Sequence, residues 1–594
     1  MNHSPSRQNQ AEMREEESAL LSSHEHDNTP EPEPESGRGS LAPAWQIWRR
    51  LFQHTGDDGL PSPTSTTKRQ AKRPYDHIPL YAALILIGPS GLPRNPAYLI
   101  EASTAAVASE EKTCSDLGIH VLRDLNGTAV DAAITSTLCI GLLNAFSSGI
   151  GGGGFMTIRV PDGSISGGSN ITVIDFREIS PEKSEKEMYG ANRAGRVAAQ
   201  VGGLAIGVPA HKMYGTLPWR DLVMPVAELA RRWQLYGSFM LDTPTWSEVY
   251  ASRGHLLVEG DYIKRAAYGR TLERVANEGV DAFYFGDIAQ SMVDTLANYR
   301  AQSYPAIHQT YHGRTIYTSS APSSGGVMLG LLNILEPYQI TSMTPLDTHR
   351  LIEAMKFAFG ARSEITDPAF AENVTRFDEL YSKQWAEGIR PRITDNKTHG
   401  VDYYGLLHDV PVDHGTTHLS TIDRWGGAVA ITSTVNLIWG SHVMDPVTGV
   451  IFNDEMDDFS VPGAPDAFGL LPSPRNYPAP GKRPLSSTAP TIILNPDSSL
   501  YAVLGGSGGS RIFPSVAQVI LNLEGGLDIS AAIERPRLHN QVVPTVTTIE
   551  VGPEGEDLTM NADLKRRGHA IGLFDINLGA SEGSSLSDDE VDEI

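Results

Sequence analysis

The residues with the clearest chemical potential lie in the segment Gly415-Thr416-Thr417-His418-Leu419-Ser420. A threonine at the N-terminus of a chain can act as nucleophile and base at once. Its α-amine, with a reference pKa of ~7.7–8.0, can accept the hydroxyl proton near neutral pH. Thr416 is internal, so this chemistry first requires cleavage of the Gly415–Thr416 bond. A Gly-Thr-Thr segment alone is more often the polar start of a strand, and its interpretation depends on the surrounding motifs.

Carboxylates and hydroxyls are bunched in two later segments. Glu455, Asp457 and Asp458 lie close together, and such a cluster suits a cationic ammonium, although a solvated acidic loop is the commoner explanation. Ser486 and Ser487 supply paired hydroxyls. The two segments together provide groups that can bind both signs of charge in a small polar ligand.

A glycine-rich stretch follows at Leu504-Gly-Gly-Ser-Gly-Gly-Ser510. Consecutive glycines leave backbone N–H groups free to approach a developing oxyanion. No Lys-Ser or Lys-Thr pair follows the glycines, so the stretch is not a phosphate-binding P-loop.

The pattern around the threonine predicts a β-hairpin that would position it. His418–Ile422 and Ala428–Leu437 alternate as strands, and Asp423–Gly427 has the composition of a turn. A turn centred on Trp425 places residues whose numbers sum to about 850 opposite each other. That register sets Thr434 across from Thr416.

Other segments predict the surrounding layers. Helical spacing appears at residues 105–111 and 114–122, in the strongly apolar segment 129–144, and in the amphipathic segment 349–362. A glycine loop at 149–154 precedes strand-like runs at 155–160 and 171–176. Helical and strand-like segments are therefore both expected.

The ordered motifs resemble those of the γ-glutamyltranspeptidase family over roughly residues 100–575. Each motif is modest alone, but six in succession are highly specific. The stretches that carry the resemblance are 149–155, 415–420, 432–436, 451–460, 484–490 and 505–511.

The resemblance implies an N-terminal nucleophile hydrolase of the α/β (α+β) fold class, with one four-layer αββα sandwich. Members of the family are made as a proenzyme that cleaves itself into two subunits, which stay together as a heterodimer. By resemblance, residues 101–415 form the large subunit and residues 416–594 the small subunit, with cleavage between Gly415 and Thr416.

Catalytic roles follow from the same resemblance. Thr416 carries the γ-glutamyl ester, and Thr434 hydrogen-bonds the nucleophile, in agreement with the hairpin register. The amides of Gly508 and Gly509 form the oxyanion hole. His418 lies beside the nucleophile, and we expect it to be a packed or capping residue with no catalytic role.

Substrate binding is assigned in the same way. Arg177 pairs with the substrate α-carboxylate, assisted by Ser486 and Ser487. The groups that match those holding the α-ammonium are Asn436, Glu455 and Asp458. A glutamyl head carries one cation and one anion, so a planar donor fork and separate carboxylates suit it.

The function implied is hydrolysis or transfer of the γ-glutamyl group of glutathione and its conjugates, to water or to amino acids and peptides. The chemistry requires no metal and no organic cofactor. One alternative is a related acylase of this fold that removes a glutaryl group, which has no α-ammonium. Another is a catalytically dead surface interaction protein, which retention of the nucleophile, Arg177 and both glycines disfavours.

Composition limits the partners and leaves the state of the cysteines open. The 594 residues have a formal net charge of −24, so nucleic acid is not an expected partner. Cys114 and Cys139 are the two cysteines. They can form one disulfide in an oxidising compartment or remain two buried free thiols.

The ends of the chain differ from its centre. Residues 1 to about 75 have a disordered composition, and an acidic tail begins at about residue 582. Residues 76–100 contain a short apolar run behind a basic cluster, as in a type II signal anchor. The run is shorter than the ~20 residues of a spanning helix, so a partial anchor, a cleaved signal and an imperfect gene model are alternatives.

With four sequons, at Asn126, Asn170, Asn373 and Asn396, we expect a glycoprotein of the secretory pathway, vacuolar or at the cell surface.

Overall fold

The layers of the fold follow from two sheets that pack face to face. The computed structural model describes residues 81–82, 99–162, 169–188, 207–230, 240, 243–251, 255, 265–284, 299–408, 415–463, 470–552 and 555–575. The disordered tail predicted for residues 1–75 and the acidic tail from about 582 lie outside these ranges, as does most of residues 76–100.

The first sheet has six strands in the order β2-β8-β9-β3-β4-β5. These strands are β2 (Ala106–Ala108), β3 (Gly153–Pro161), β4 (Ser169–Asp175), β5 (Gln302–Pro305), β8 (Thr416–Ile422) and β9 (Ala428–Thr434). All the pairings in this sheet are antiparallel. The strand that begins at Thr416 is therefore held on both sides.

The second sheet has five strands in the order β1-β11-β10-β7-β6. They are β1 (Tyr81–Ala82), β6 (Ile307–Tyr311), β7 (Arg314–Thr318), β10 (Thr491–Leu494) and β11 (Leu500–Leu504). A smaller sheet joins β12 (Leu538–His539), β13 (Val546–Val551) and β14 (Ala570–Asp575).

Helices cover the outer face of each large sheet. Beside the six-stranded sheet lie α1 (Lys112–Arg123), α2 (Ala129–Leu143), α3 (Gly207–Tyr214), α4 (Trp219–Leu229), α6 (Ala266–Glu278) and α7 (Asp281–Tyr284). The intervening helix α5 (Pro244–Tyr250) packs in a separate cluster with Trp439, Met444 and Ile451. Beside the five-stranded sheet lie α8 (Gly325–Leu335), α9 (Pro345–Arg362), α10 (Thr375–Leu380), α11 (Lys383–Ile389), α12 (Ile512–Glu524) and α13 (Ile529–Glu534), while α14 (Leu558–Arg566) packs on β14 and α9.

Three apolar cores separate the four layers. One lies between the sheets and includes Val173, Ala430 and Val503, and each of the other two joins one sheet to its helices. This is the predicted αββα sandwich, and the fold prediction is confirmed.

Most predicted elements lie where the sequence placed them. The segments 114–122, 129–144 and 349–362 are helices, and the two runs after the glycine loop are strands. The prediction of helical structure at residues 105–111 is wrong. Ala106–Ala108 is an edge strand, and its pairing with β8 satisfies backbone groups that an isolated short helix would have left to solvent.

The hairpin forms as the sequence predicts. Asp423 Oδ1 accepts hydrogen bonds from the backbone N–H groups of Trp425 and Gly427, 2.9 and 2.8 Å away. The strands pair in the register Thr416↔Thr434 to Ile422↔Ala428. Residue numbers of facing pairs therefore sum to 850, and that prediction is confirmed.

Candidate active site

Thr416 stands at the first position of β8, half-buried and opposite Thr434. The Thr416 hydroxyl donates to Thr434 Oγ1 at 3.3 Å. The Thr434 hydroxyl in turn donates to the carbonyl oxygen of Gly415 at 2.6 Å and accepts from the backbone N–H of Asn436 at 2.8 Å. One hydroxyl thus connects the predicted nucleophile to the carbonyl of the bond predicted to be cut.

The backbone at this point requires glycine. Gly415 has a φ of +100°, in the left-handed region that side-chain-bearing residues rarely adopt. A Cβ there would lie 2.5 Å from the carbonyl oxygen of Asn436. In the predicted glycine loop, a Cβ on Gly152 would lie 1.9 Å from the carbonyl oxygen of Thr434. Close packing on both sides therefore fixes the end of the hairpin.

Arg177 lies just beyond the end of β4 and is 1% exposed. Its guanidinium is bound to the carboxylates of Glu455 and Asp458. It also donates to the carbonyl oxygen of Leu485 at 2.7 Å. The structure therefore brings the predicted carboxylate-binding arginine and two predicted ammonium-binding acids into direct contact.

Burial and the attraction between opposite charges set the pKa values of Arg177 and of the carboxyl groups around it. Burial raises the pKa of Glu455 well above its ordinary value, and burial raises the pKa of the adjacent Glu178 to about 8. Burial alone would lower the pKa of Arg177, but the charges of Glu455 and Asp458 outweigh it and raise that pKa. The cluster therefore holds a permanent cation beside carboxyls that take up protons easily.

Asn436 lies two residues beyond Thr434. It is 2% exposed, and its Nδ2 donates to the carbonyl oxygen of Asp454 at 3.3 Å. Its Oδ1 has no hydrogen-bond partner among the residues that the structure describes. A buried amide oxygen without a donor is suited to accept from an incoming ammonium.

Ser486 and Ser487 are buried in the segment whose preceding carbonyls contact Arg177. Ser486 Oγ is 3.0 Å from Thr488 Oγ1. Ser487 Oγ accepts a hydrogen bond from Arg362 at 3.0 Å. Both serines thus stand in the same segment as the carbonyls that hold the guanidinium.

Gly508 and Gly509 follow β11 and have φ values of +115° and +59°. Gly508 precedes the short 3-10 turn Gly509–Arg511, which leads into α12. Left-handed glycines at the start of a helical segment turn successive N–H groups in one direction.

His418 is a packed residue, as expected. It is fully buried, with Nδ1 2.9 Å from Thr432 Oγ1 and Nε2 3.1 Å from Ser420 Oγ. A Cβ on Gly505 would lie 2.1 Å from its ring. Burial lowers the pKa of His418 to about 3, so the ring is neutral at physiological pH.

Comparison with known proteins decides the family. Residues 114–591 match the family model described as Gamma-glutamyltranspeptidase. The chain belongs to the γ-glutamyltranspeptidase family. As a member it is an enzyme, as predicted.

Individual relatives span most of the chain. Glutathione hydrolase proenzyme 2 from Schizosaccharomyces pombe is 39% identical over 512 residues, covering 80% of this chain and 82% of that protein. The glutathione hydrolase proenzyme of Escherichia coli is 31% identical over 525 residues, covering 81% and 88%. The crystal structure of cephalosporin acylase from Bacillus halodurans superposes with a TM-score of 0.67 over 87% of this chain and 93% of that one. At 20% identity it shares the fold alone.

Two buried residues, Glu178 and Arg362, and the half-buried Glu110 lie around this γ-glutamyltranspeptidase site and were missed by the sequence reasoning. Glu178 follows Arg177 directly, and a Cβ on Gly153 would lie 2.4 Å from its carboxylate. Arg362 ends the predicted helix 349–362 and contacts Ser487. Glu110 accepts from Asn144 Nδ2 at 3.2 Å near the start of β8. Of the three, only Glu178 could have been identified from the sequence, because it is adjacent to Arg177, which the sequence analysis had already assigned to the site.

The two cysteines form a disulfide between α1 and α2. Of the two alternatives that the sequence left open, the structure shows the bonded one.

One group of residues within the described ranges could approach a metal ion together, namely His349, Glu353 and His569. The ammonium of Lys356 lies 3.2 Å from Glu353 Oε1 and already supplies this carboxylate with a cation. The group therefore does not fit a divalent metal well.

Proposed function

We propose that the chain cleaves itself between Gly415 and Thr416 and then hydrolyses or transfers γ-glutamyl groups through an ester on Thr416. The substrates are glutathione and γ-glutamyl conjugates. The observation that carries the proposal is the Thr434 hydroxyl, which bridges the Thr416 hydroxyl and the Gly415 carbonyl.

Self-cleavage begins with attack of Thr416 Oγ on the carbonyl carbon of Gly415. The Oγ–C bond forms, the C–N bond breaks, and the hydroxyl proton passes to the departing nitrogen. The Thr434 hydroxyl, 2.6 Å from the Gly415 oxygen, stabilises the negative charge that develops there. Water then hydrolyses the ester, which leaves a carboxylate on Gly415 and a free amine on Thr416.

The same hydroxyl serves in turnover. The new α-amine accepts the proton of Thr416 Oγ, which attacks the γ-carbonyl carbon of the substrate. The amides of Gly508 and Gly509 bind the oxyanion, and the leaving amine takes the proton. Water or the amine of an amino acid or peptide then attacks the ester and releases the γ-glutamyl group.

Recognition of the glutamyl head exchanges one set of ion pairs for another. Without substrate, Arg177 is in contact with the carboxyl groups of Glu455 and Asp458. A ligand with adjacent carboxylate and ammonium groups can occupy the site and leave every charge paired. A glutaryl group lacks the cation and would leave a buried carboxylate uncompensated, which is costly.

Two measurements test this proposal. A denaturing gel with N-terminal sequencing should give a smaller fragment that begins at Thr416. A γ-glutamyl anilide should be a far better substrate than the otherwise identical glutaryl anilide. Activity in an uncut chain would contradict the mechanism, and equal use of both anilides would favour the glutaryl acylase.

We further propose that the protein matures in the secretory pathway and resides in a vacuole or at the cell surface. The support is the exposure of all four sequon asparagines, Asn126, Asn170, Asn373 and Asn396, and the disulfide. Within the described ranges, no helix is long and apolar enough to cross a membrane. The anchor at residues 76–100 falls mostly outside those ranges and stays a prediction.

Glycosidase treatment of protein from the native host tests this location. A mobility shift is the expected result. No shift, together with full release on lysis without detergent, would contradict both the location and the anchor.

A further inference from the structure

Arg362, at the C-terminal end of α9, lies beneath the segment that carries Ser486 and Ser487. It is 4% exposed, and both serines are 2% exposed or less. Its guanidinium is connected to this segment in two ways, and each connection passes through a buried serine hydroxyl. This arginine belongs to none of the groups assigned above to substrate or nucleophile.

The direct route fixes the direction of one hydroxyl. Arg362 Nη2 donates to Ser487 Oγ at 3.0 Å. A guanidinium is always protonated and can only donate. Ser487 is therefore an acceptor toward Arg362, and its own proton is available for a second acceptor on the opposite side.

The indirect route holds the neighbouring backbone. Arg362 Nε donates to Ser324 Oγ at 3.1 Å, and the Ser324 hydroxyl donates to the carbonyl oxygen of Ser486 at 2.7 Å. Ser324 also donates its backbone N–H to the carbonyl oxygen of Thr488 at 3.0 Å. One rigid fork therefore positions both serines of the pair.

From this geometry we infer that Arg362 is a positioning residue for the substrate α-carboxylate, acting through Ser487 and Ser324. It orients the Ser487 hydroxyl as a donor and places a second fixed cation behind the carboxylate site. The inference rests on the proposed function, in which Ser486 and Ser487 bind that carboxylate.

The test compares two substrates that differ only in the carboxylate. A γ-glutamyl anilide carries it, and 4-aminobutanoyl anilide retains the ammonium but lacks it. The measured quantity is the ratio of the two kcat/KM values. Arg362→Lys keeps the charge but loses the fork, and it should lower this ratio by about 10- to 100-fold, the range for a hydrogen bond to a charged group. Self-cleavage should be retained, because it involves no substrate carboxylate.

Ser324→Ala is the second variant and leaves the guanidinium in place. It removes the hydrogen bond from Arg362 Nε and the neutral bond that Ser324 donates to the carbonyl oxygen of Ser486. Only the neutral bond acts directly on the serine segment, and its loss should lower the ratio by about 2- to 10-fold. Arg537→Lys is the control. Arg537 is buried, as Arg362 is, but it is bound to the carboxylate of Glu550 and not to the serine segment. It should leave the ratio unchanged.

The outcomes separate the inference from the proposed function. If the wild type uses both anilides equally, the proposed carboxylate site is wrong and the inference falls with it. If the wild type prefers the γ-glutamyl anilide but Arg362→Lys lowers both kcat/KM values equally, Arg362 is only structural. If Arg362→Lys does not mature, Ser324→Ala decides alone, and a wild-type ratio in that variant overturns the inference.

Discussion

The two halves of the candidate active site are held together by different interactions. The nucleophile end, formed by Gly415, Thr416 and Thr434, contains hydroxyls and backbone groups joined by neutral hydrogen bonds. The charged cluster, formed by Arg177, Glu178, Glu455 and Asp458, is buried and contains four ionisable side chains. In the proposed mechanism, bond making therefore depends on geometry within one hairpin, whereas substrate selection depends on charges buried by several segments.

The same difference separates maturation from recognition. In the mechanism proposed above, self-cleavage uses only groups of the nucleophile end and needs no external charge. Turnover on a γ-glutamyl substrate needs both halves. Variants of each half should therefore have distinct effects on the two activities.

The largest effect is expected from Thr416→Ala. Without a hydroxyl at this position neither self-cleavage nor ester formation can occur, so the chain should stay intact and turnover should be lost. A denaturing gel and a γ-glutamyl anilide assay measure the two effects. A variant that still yields the two fragments would remove Thr416 from the mechanism.

Next in size is Arg177→Ala, which breaks the charged cluster alone. Removing one partner of a desolvated charge pair costs about 2–5 kcal/mol, so kcat/KM should fall by roughly 30- to 4,000-fold. Arg177→Lys should recover part of this loss, because it restores the charge without the planar fork. Both variants should still cleave themselves. If they do not, self-cleavage depends on the charged cluster as well as on the nucleophile end.

Thr434→Ala should slow self-cleavage by roughly 100- to 1,000-fold, the usual cost of losing one oxyanion donor. Thr434→Ser keeps the hydroxyl and should cleave at a rate close to that of the wild type. The rates are followed by densitometry of the intact chain over time. Equal rates in the alanine and serine variants would show that the hydroxyl itself is not used.

The smallest effect concerns Glu110, the buried carboxyl near the nucleophile end. Burial raises its pKa to about 7, and the hydrogen bond from Asn144 acts against this rise. The folded state then holds a proton that the unfolded state releases near pH 4.5. This contribution to the free energy of unfolding should decrease by at most ~3 kcal/mol as pH rises to 7.

Glu110→Gln should remove that part of the pH dependence. Urea unfolding of the Thr416→Ala chain at pH 5 and pH 7.5, with and without Glu110→Gln, measures it on a single uncut species. An identical pH dependence in both proteins would mean that Glu110 keeps an ordinary pKa.

The sequence by itself determined the nucleophile end. A strand–turn–strand pattern with Asp423 at the turn fixes the register locally, because the length and type of a hairpin turn determine which residues face each other. That is why Thr434 could be placed opposite Thr416. The ordered motifs also gave the family, and with it the αββα fold.

Only the tertiary structure decided the charged cluster and its support. Arg177 meets Glu455 and Asp458, which are 278 and 281 residues away in the chain, and no local pattern encodes such contacts. Burial sets the pKa of Glu178, and burial depends on which layers cover it. The sequence placed Arg362 at the end of a predicted helix. Its contacts with Ser324 and Ser487 arise only because α9 packs beneath the segment that carries Ser486 and Ser487. Local periodicity determines secondary structure and register, whereas ion pairs and proton affinities depend on what the folded layers bring together and shield from water.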